Sequence, residues 1–413
     1  MTRLMRTAAA AALALCAAFA APGTALASPP APSPAASATA ASERAQLPRP
    51  TGPYGIGRTT LHLTDDSRKD PWVPQAGGRE VMVDVFYPAV RGTGSPAPYA
   101  TTEEMRVLLA ARQLEGVPPE AMAGTRTDVR TGARPDGGRH PLVVLSPGFG
   151  VPRYTLTSLA EDLTSRGYVV ASVDHAYEAY GVAFPGRGVL TCVACETAKT
   201  PEDFHNVVTG RAKDVSFVLD RLTGPRAARP FARMIDKRRI GMAGHSIGGA
   251  GAAATMAADG RVRAGVNMDG AFQGAIPAEG LGGRPFMMLG TNDEWHRPGG
   301  KDTSWDEAWP RLGGGKRWLT VDRADHFTFT DSPVFAEQIF PPTVPRPALS
   351  AARSVAVTRA YTAAFFDRHL RHLPQPLLDG PSPANPEVHF NNPTGNPAGN
   401  PTGNPAGNPL NTP

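Results

Sequence analysis

The run Arg239-Ile240-Gly241-Met242-Ala243-Gly244-His245-Ser246-Ile247-Gly248, which continues through Gly249 into an alanine-rich segment at 250–258, decides the fold. Its first five residues read as a strand and its last nine as a helix, with Gly-x-Ser-x-Gly between them. By itself that motif is a weak signal in a chain with 44 glycines. Between a strand and a helix it is a strong one, because a tight, strained turn there lifts a serine hydroxyl above the sheet edge. A serine that merely caps the helix would also stand before it. Three further pieces of acyl-transfer machinery in the right chain order outweigh that reading and make Ser246 the candidate nucleophile.

Outward from the turn, strand and helix patterns alternate. Residues 81–87 are β-rich, and Leu142-Val143-Val144-Leu145 is the continuous apolar run of a central parallel strand. A glycine-rich turn and a helical pattern at 156–166 follow, then a strand at 168–173. Phe204, Val207, Val208, Val215, Val218, Leu219 and Leu222 recur at helical spacing. Further strands are predicted at 265–268, 286–289 and 318–321, and a last helix at 352–370 with Val355, Tyr361, Phe365 and Phe366 inward. The class is therefore α/β, a mostly parallel central sheet with helices on both faces, in the α/β-hydrolase arrangement.

The remaining machinery is placed by what acyl transfer requires. An oxyanion hole takes two backbone N–H groups. Ile247 supplies one, and Phe149 in Ser146-Pro147-Gly148-Phe149-Gly150, after the central strand, is the candidate for the other. A catalytic histidine belongs on the loop after the last strand, where Ala324-Asp325-His326-Phe327 stands. His175, His205, His245, His296, His369, His372 and His389 fit that position poorly. Two aspartates end strands between Ser246 and His326. Asp269 lies in Asn267-Met268-Asp269-Gly270 and Asp293 in Gly290-Thr291-Asn292-Asp293, and the residues alone do not choose between them.

Composition bounds the rest. The chain has 413 residues, 41% hydrophobic and 19% charged, which suits one large catalytic domain. Arg3 and Arg6, an apolar run at 8–21 and Ala25-Leu26-Ala27 predict a signal peptide over 1–27 and a secreted product. Leu15 before Cys16 argues against a lipoprotein. Residues 28–48, rich in Ala, Pro and Ser, read as a disordered linker, 49–390 as the catalytic domain, and 391–413 as a low-complexity Asn-Pro-x-Gly tail. Loss of Arg3 and Arg6 takes the formal charge from +5 to +3, too little to argue for nucleic acid. Cys192 and Cys195, in a loop of small and apolar residues, are expected as a structural disulfide rather than a redox pair. Trp295, Trp305 and Trp309 are expected to pack core. No motif for a metal or cofactor is present, and none is expected.

The motifs His245-Ser246-Ile247-Gly248-Gly249, Ser146-Pro147-Gly148-Phe149-Gly150 and Met268-Asp269-Gly270 resemble those of the type II platelet-activating-factor acetylhydrolase family over about residues 75–370. That resemblance implies Asp269 as the acid, with Ser246 and His326. It also implies a carboxylic ester of a lipid or a short acyl chain as substrate, with transient contact to a lipid surface. Asp293, Arg284-Pro285-Phe286 and Asp325-His326-Phe327-Thr328 instead resemble cutinase-like polyester hydrolases. Pro147 stands where the family's oxyanion turn usually has histidine, which removes a side chain and keeps the backbone donor. The alternatives are a polyester hydrolase, an acyltransferase on the same fold, and an inactive hydrolase fold that binds surfaces.

Overall fold

The computed structural model describes residues 44–225 and 231–393. The predicted signal peptide, most of the 28–48 linker and most of the tail lie outside the described residues. Thirteen strands are formed among the described residues: β1 (Gly55–Lys69), β2 (Gly78–Ala89), β3 (Ser95–Pro96), β4 (Val129–Thr131), β5 (His140–Ser146), β6 (Val169–His175), β7 (Val182–Phe184), β8 (Gly188–Leu190), β9 (Ile235–His245), β10 (Val262–Met268), β11 (Phe286–Thr291), β12 (Arg317–Val321) and β13 (Val388–Phe390). Eleven of them make one sheet in the order β13-β12-β11-β10-β9-β5-β6-β2-β1-β4-β3, while β7 and β8 pair apart from it. The six strands from β6 to β12 in that order run parallel, and β2, β1 and β13 join antiparallel at the flanks.

Side chains alternate across this sheet, so a single apolar run feeds two cores. Leu142 and Val144 face one cluster with helix α5 (Pro201–Thr223) and helix α7 (Ile247–Ala258). Val143 and Leu145 face the other, with α3 (Thr157–Ser165) and α10 (Ala351–Leu370). All four residues are fully buried, as a strand covered on both faces must be. The helices α1 (Thr102–Ala111), α2 (Pro119–Ala123), α4 (Val193–Thr197), α6 (Phe231–Met234), α8 (Thr303–Ala308) and α9 (Ser332–Gln338) are short and lie mainly in the connections. Among the described residues no helix is long and apolar enough to cross a membrane.

Four expectations change. The packed domain begins before residue 49, because Ala45 and Leu47 are buried and Arg126 N and O bond Ala45 O and Leu47 N. It also runs past 390, where Asn391 and Asn392 bond the main chain of Trp318. Apolar Ala45 and Leu47 were masked by the Pro- and Ser-rich stretch before them. Finally, Cys192 and Cys195 do not sit in a plain loop. They form a disulfide across the first turn of α4, just after β8. Trp305 and Trp309 are buried as expected, whereas Trp295 is only half-buried beneath Lys301.

Candidate active site

Ser246, Asp269, Thr291 and His326 all stand at or just beyond the carboxyl ends of adjacent parallel strands β9, β10, β11 and β12, where open α/β sheets carry their sites. Ser246 has φ 55° and ψ −128°, a conformation that an ordinary residue adopts only when its surroundings impose it. The imposition is visible on both sides of it. A Cβ on Gly244 would lie 2.1 Å from Gly248 C, and one on Gly248 would lie 2.1 Å from Ser146 O. Only hydrogen fits at either place, so the turn closes and the hydroxyl is held above the sheet.

His326 Nε2 lies 3.1 Å from Ser246 Oγ, and His326 Nδ1 lies 2.7 Å from Asp269 Oδ2. Those distances make one hydrogen-bonded chain from hydroxyl through imidazole to carboxylate. Asp269 also takes a positive φ of 60°, and the turn that follows it is clamped by Asn267, whose Nδ2 donates to Gly270 O and whose Oδ1 accepts from Gly270 N. Its other oxygen, Oδ1, accepts from Thr291 N at 2.8 Å and meets His296 Nδ1 at 3.1 Å. Burial opposes ionisation of Asp269, but hydrogen bonds from His296 and His326 outweigh it and hold the carboxyl well below its ordinary range.

Asp293 does not join this chain. Its Oδ1 accepts from Trp295 N and His296 N, closing its own loop, and its side chain is 42% exposed. The His326 loop is fixed from two directions. Asp325 Oδ1 accepts from Phe327 N and Thr328 Oγ1, and His245 Nε2 donates to His326 O at 2.6 Å. Burial, reinforced by the neighbouring His326, pushes His245 down to about 3, so its ring is neutral and acts as a structural donor. The residue just before Ser246 in the elbow motif thus tethers the histidine loop, a role that strand order alone does not reveal.

Phe149 and Ile247 bring two amides to the same end of the sheet, and neither N–H has a partner among the described residues. Ile247 opens α7, where the first N–H groups have no intrahelical acceptor. The Phe149 ring packs edge-on against Phe204 at 5.7 Å, so its side chain serves the core while its backbone stays free. Beneath this turn lies a buried polar array. Ser146 Oγ meets His175 Nε2 at 3.1 Å, and His175 Nδ1 meets Asp214 Oδ2 at 2.7 Å. The connectivity copies the chain above, yet Ser146 is fully buried and no ester can reach it.

Arg211 ties this array to the turn. It donates to Ser146 Oγ at 3.2 Å, to Pro147 O at 2.5 Å and to Glu178 Oε2 at 2.8 Å. Glu178 O in turn accepts from Gly150 N, and Arg79 bonds both Asp214 and Glu178. Cys195 Sγ is within 3.2 Å of where a Gly150 Cβ would lie, so the disulfide rests against the same turn. Arg211→Met would strip a buried carboxylate of one cation and leave Pro147 O unpaired. A loss of about 3–5 kcal/mol is expected, read as a fall in the urea unfolding midpoint, and an unchanged midpoint would contradict it.

Beside His326 opens a cavity of about 350 Å³, mostly apolar, with Asp325 and Phe327 at its lip and Tyr99, Met105, Leu109 and Phe335 farther in. Exposed Arg112 stands at the same lip, its guanidinium 5.6 Å from the Phe327 ring centroid and with no ion pair among the described residues. No group of three or more potential metal-ligating side chains occurs among the described residues.

Residues 39–183 match the family model of platelet-activating factor acetylhydrolase, isoform II. The chain is 31% identical over 379 residues to a protein of Arthroderma benhamiae named as a probable 1-alkyl-2-acetylglycerophosphocholine esterase, with 83% of this chain and 93% of that one covered. It is 24% identical over 261 residues to the platelet-activating factor acetylhydrolase of Bos taurus, covering 55% of each. Among solved structures, a ferulic acid esterase from Streptomyces cinnamoneus matches with a TM-score of 0.74 and 47% identity, over 84% of this chain and 99% of that chain.

Proposed function

The chain belongs to the platelet-activating factor acetylhydrolase family of carboxylic-ester hydrolases, and from that premise we propose that it is a secreted serine esterase working through an acyl-enzyme. The hydrogen-bonded chain Ser246–His326–Asp269 carries this reading. His326 Nε2 takes the Ser246 proton as Oγ attacks the ester carbonyl. The oxyanion that forms is met by the amides of Phe149 and Ile247. Collapse expels the alcohol, which leaves with the proton from His326, and water, deprotonated by the same imidazole, then releases the acid and restores Ser246. Asp269 keeps the His326 proton on Nδ1 and balances the imidazolium. Export rests on the leader pattern at 1–27 and accords with the disulfide.

The favoured substrate is a phospholipid or related lipid ester with a short acyl group. The leaving alcohol must depart on the histidine side, because His326 protonates it, and the apolar cavity opens there. Arg112 at its lip, without an ion pair among the described residues, offers a cation to a phosphate. A second reading, esters of aromatic acids, is favoured by the relative at 47% identity whose name is ferulic acid esterase. The deciding experiment is a hydrolysis screen over short and long p-nitrophenyl esters, acetylated ether phospholipid, methyl ferulate and polyester film. Acetylated phospholipid and short esters are expected to have the highest kcat/KM. Preference for methyl ferulate would shift the reading to aromatic esters, and turnover of film alone would shift it to polyesters.

A further inference from the structure

His296 touches the site and has no part in the reaction as written. Its Nδ1 lies 3.1 Å from Asp269 Oδ1 and 3.0 Å from Thr291 Oγ1. Its Nε2 points toward Asp302 Oδ2 at 3.7 Å, and that oxygen is buried with no hydrogen-bond partner among the described residues. The ring leans on Trp305 with centroids 4.7 Å apart, and its carbonyl accepts from Trp318 Nε1 at 2.8 Å. The imidazole is thus locked by packing between two carboxylates, one of which also holds His326.

We propose that His296 is a positioning residue of this active site. It binds the oxygen of Asp269 that His326 leaves free, and its own protonation sets the pH at which Ser246 and His326 become competent. The inference rests on the serine-esterase reading above and extends it by two groups, giving the order Ser246, His326, Asp269, His296, Asp302.

The charges facing His296 fix the sign. Asp269 comes from the end of β10, Asp302 from the start of α8, and Asp293 from its own loop at 3.9 Å, while β12 and α8 otherwise present the uncharged rings of Trp318 and Trp305. Burial disfavours a charged His296, yet the Asp269 hydrogen bond and the three carboxylates outweigh it and raise its affinity for a proton. His296 therefore keeps its proton to a higher pH than an ordinary imidazole does. A cation on one oxygen of Asp269 weakens the pull of that carboxylate on the proton of His326. A neutral group in its place would leave that pull undiminished. The two imidazoles share one carboxylate, each on its own oxygen.

The raised affinity also has a stability sign. Its contribution is fully present below the unfolded imidazole value and is lost as pH rises through the higher folded one.

The test is the pH profile of kcat/KM for wild type and His296→Gln on a p-nitrophenyl ester. The neutral amide should move the acid limb upward by about half a unit to one unit and lower kcat about ten-fold, with KM within about two-fold. The excess in unfolding midpoint of wild type over the variant should shrink as the pH is raised from 5 to 9. An acid limb that stays in place would overturn the proposal, whatever happens to kcat.

Carbon-13 labelled histidine, followed by NMR in the Ser246→Ala protein, gives the same answer without any turnover. There His296 should keep its proton above the ordinary imidazole value, and titration of a neutral His296 below it would equally overturn the proposal. That arm does not depend on what the enzyme hydrolyses, so failure of the esterase reading and failure of this one are told apart. His296→Asn serves in the kinetic arm where the glutamine variant does not fold.

Discussion

Ser246→Ala is expected to abolish ester hydrolysis, with kcat falling by about 10⁵–10⁶-fold, the size of loss that follows removal of the nucleophile from a serine triad. The alanine keeps the backbone turn and deletes one hydroxyl whose hydrogen-bond partner is His326 Nε2. The strained φ of 55° is imposed by Gly244 and Gly248, which the substitution leaves alone. Unfolding should therefore change by no more than about 1 kcal/mol, and circular dichroism should match the wild type. A fluorophosphonate probe should label the wild type and leave the variant unlabelled. Binding of ester in the cavity beside His326 should persist, since nothing lining it is altered. A variant retaining near wild-type turnover would end the serine mechanism, and a wild type inert to the probe would point to a hydrolase fold used only for binding.

The sequence was most legible where the chemistry is local. Residues 239–258 contain within themselves a strand, a turn that only glycines can close, and a helix, so the position of Ser246 needed no knowledge of distant contacts. The four apolar residues 142–145 likewise announced a strand buried on both faces. The long strand β1 went unread because its polar Asp65, Asp66, Arg68 and Lys69 break the apolar alternation, and its pairing with β2 is a long-range matter.

Partners across the site were harder for the same reason. Asp269 and Asp293 both follow parallel strands, and which carboxylate reaches His326 depends on how the chain turns after each strand. That direction comes from the positive φ at Asp269 and the Asn267 clamp on Gly270, neither of which a strand pattern encodes. His296 precedes the last strand, so chain order does not single it out. Chain order bears on which histidine can reach Ser246, and says nothing of which can reach the far oxygen of Asp269. His175 and Arg211 similarly act through contacts with Ser146 and Pro147, 29 and 64 residues away in the chain.

Asp269→Asn and Asp293→Asn, measured side by side, should differ by about four orders of magnitude in kcat. In the first variant the amide must choose an orientation. Oδ1 of the native carboxylate accepts from Thr291 N at 2.8 Å, so the amide oxygen takes that place and the NH2 group turns toward His326. His326 Nδ1 must then accept, which forces the ring proton onto Nε2, facing Ser246 Oγ across 3.1 Å. An imidazole already protonated on that nitrogen cannot take the serine proton, so acylation slows while KM stays nearly constant. Asp293 presents a different case. Its Oδ1 accepts from Trp295 N and His296 N, an asparagine oxygen can do the same, and what is lost is a charge 3.9 Å from the His296 ring. That variant should keep nearly wild-type kcat and lie within about 0.5 kcal/mol of its stability. A large loss confined to Asp293→Asn would mean that the loop carrying it rearranges to reach His326 during turnover. The same result would remove Asp269 from the triad and draw the protein toward the polyester hydrolases that its Asp293 segment resembles.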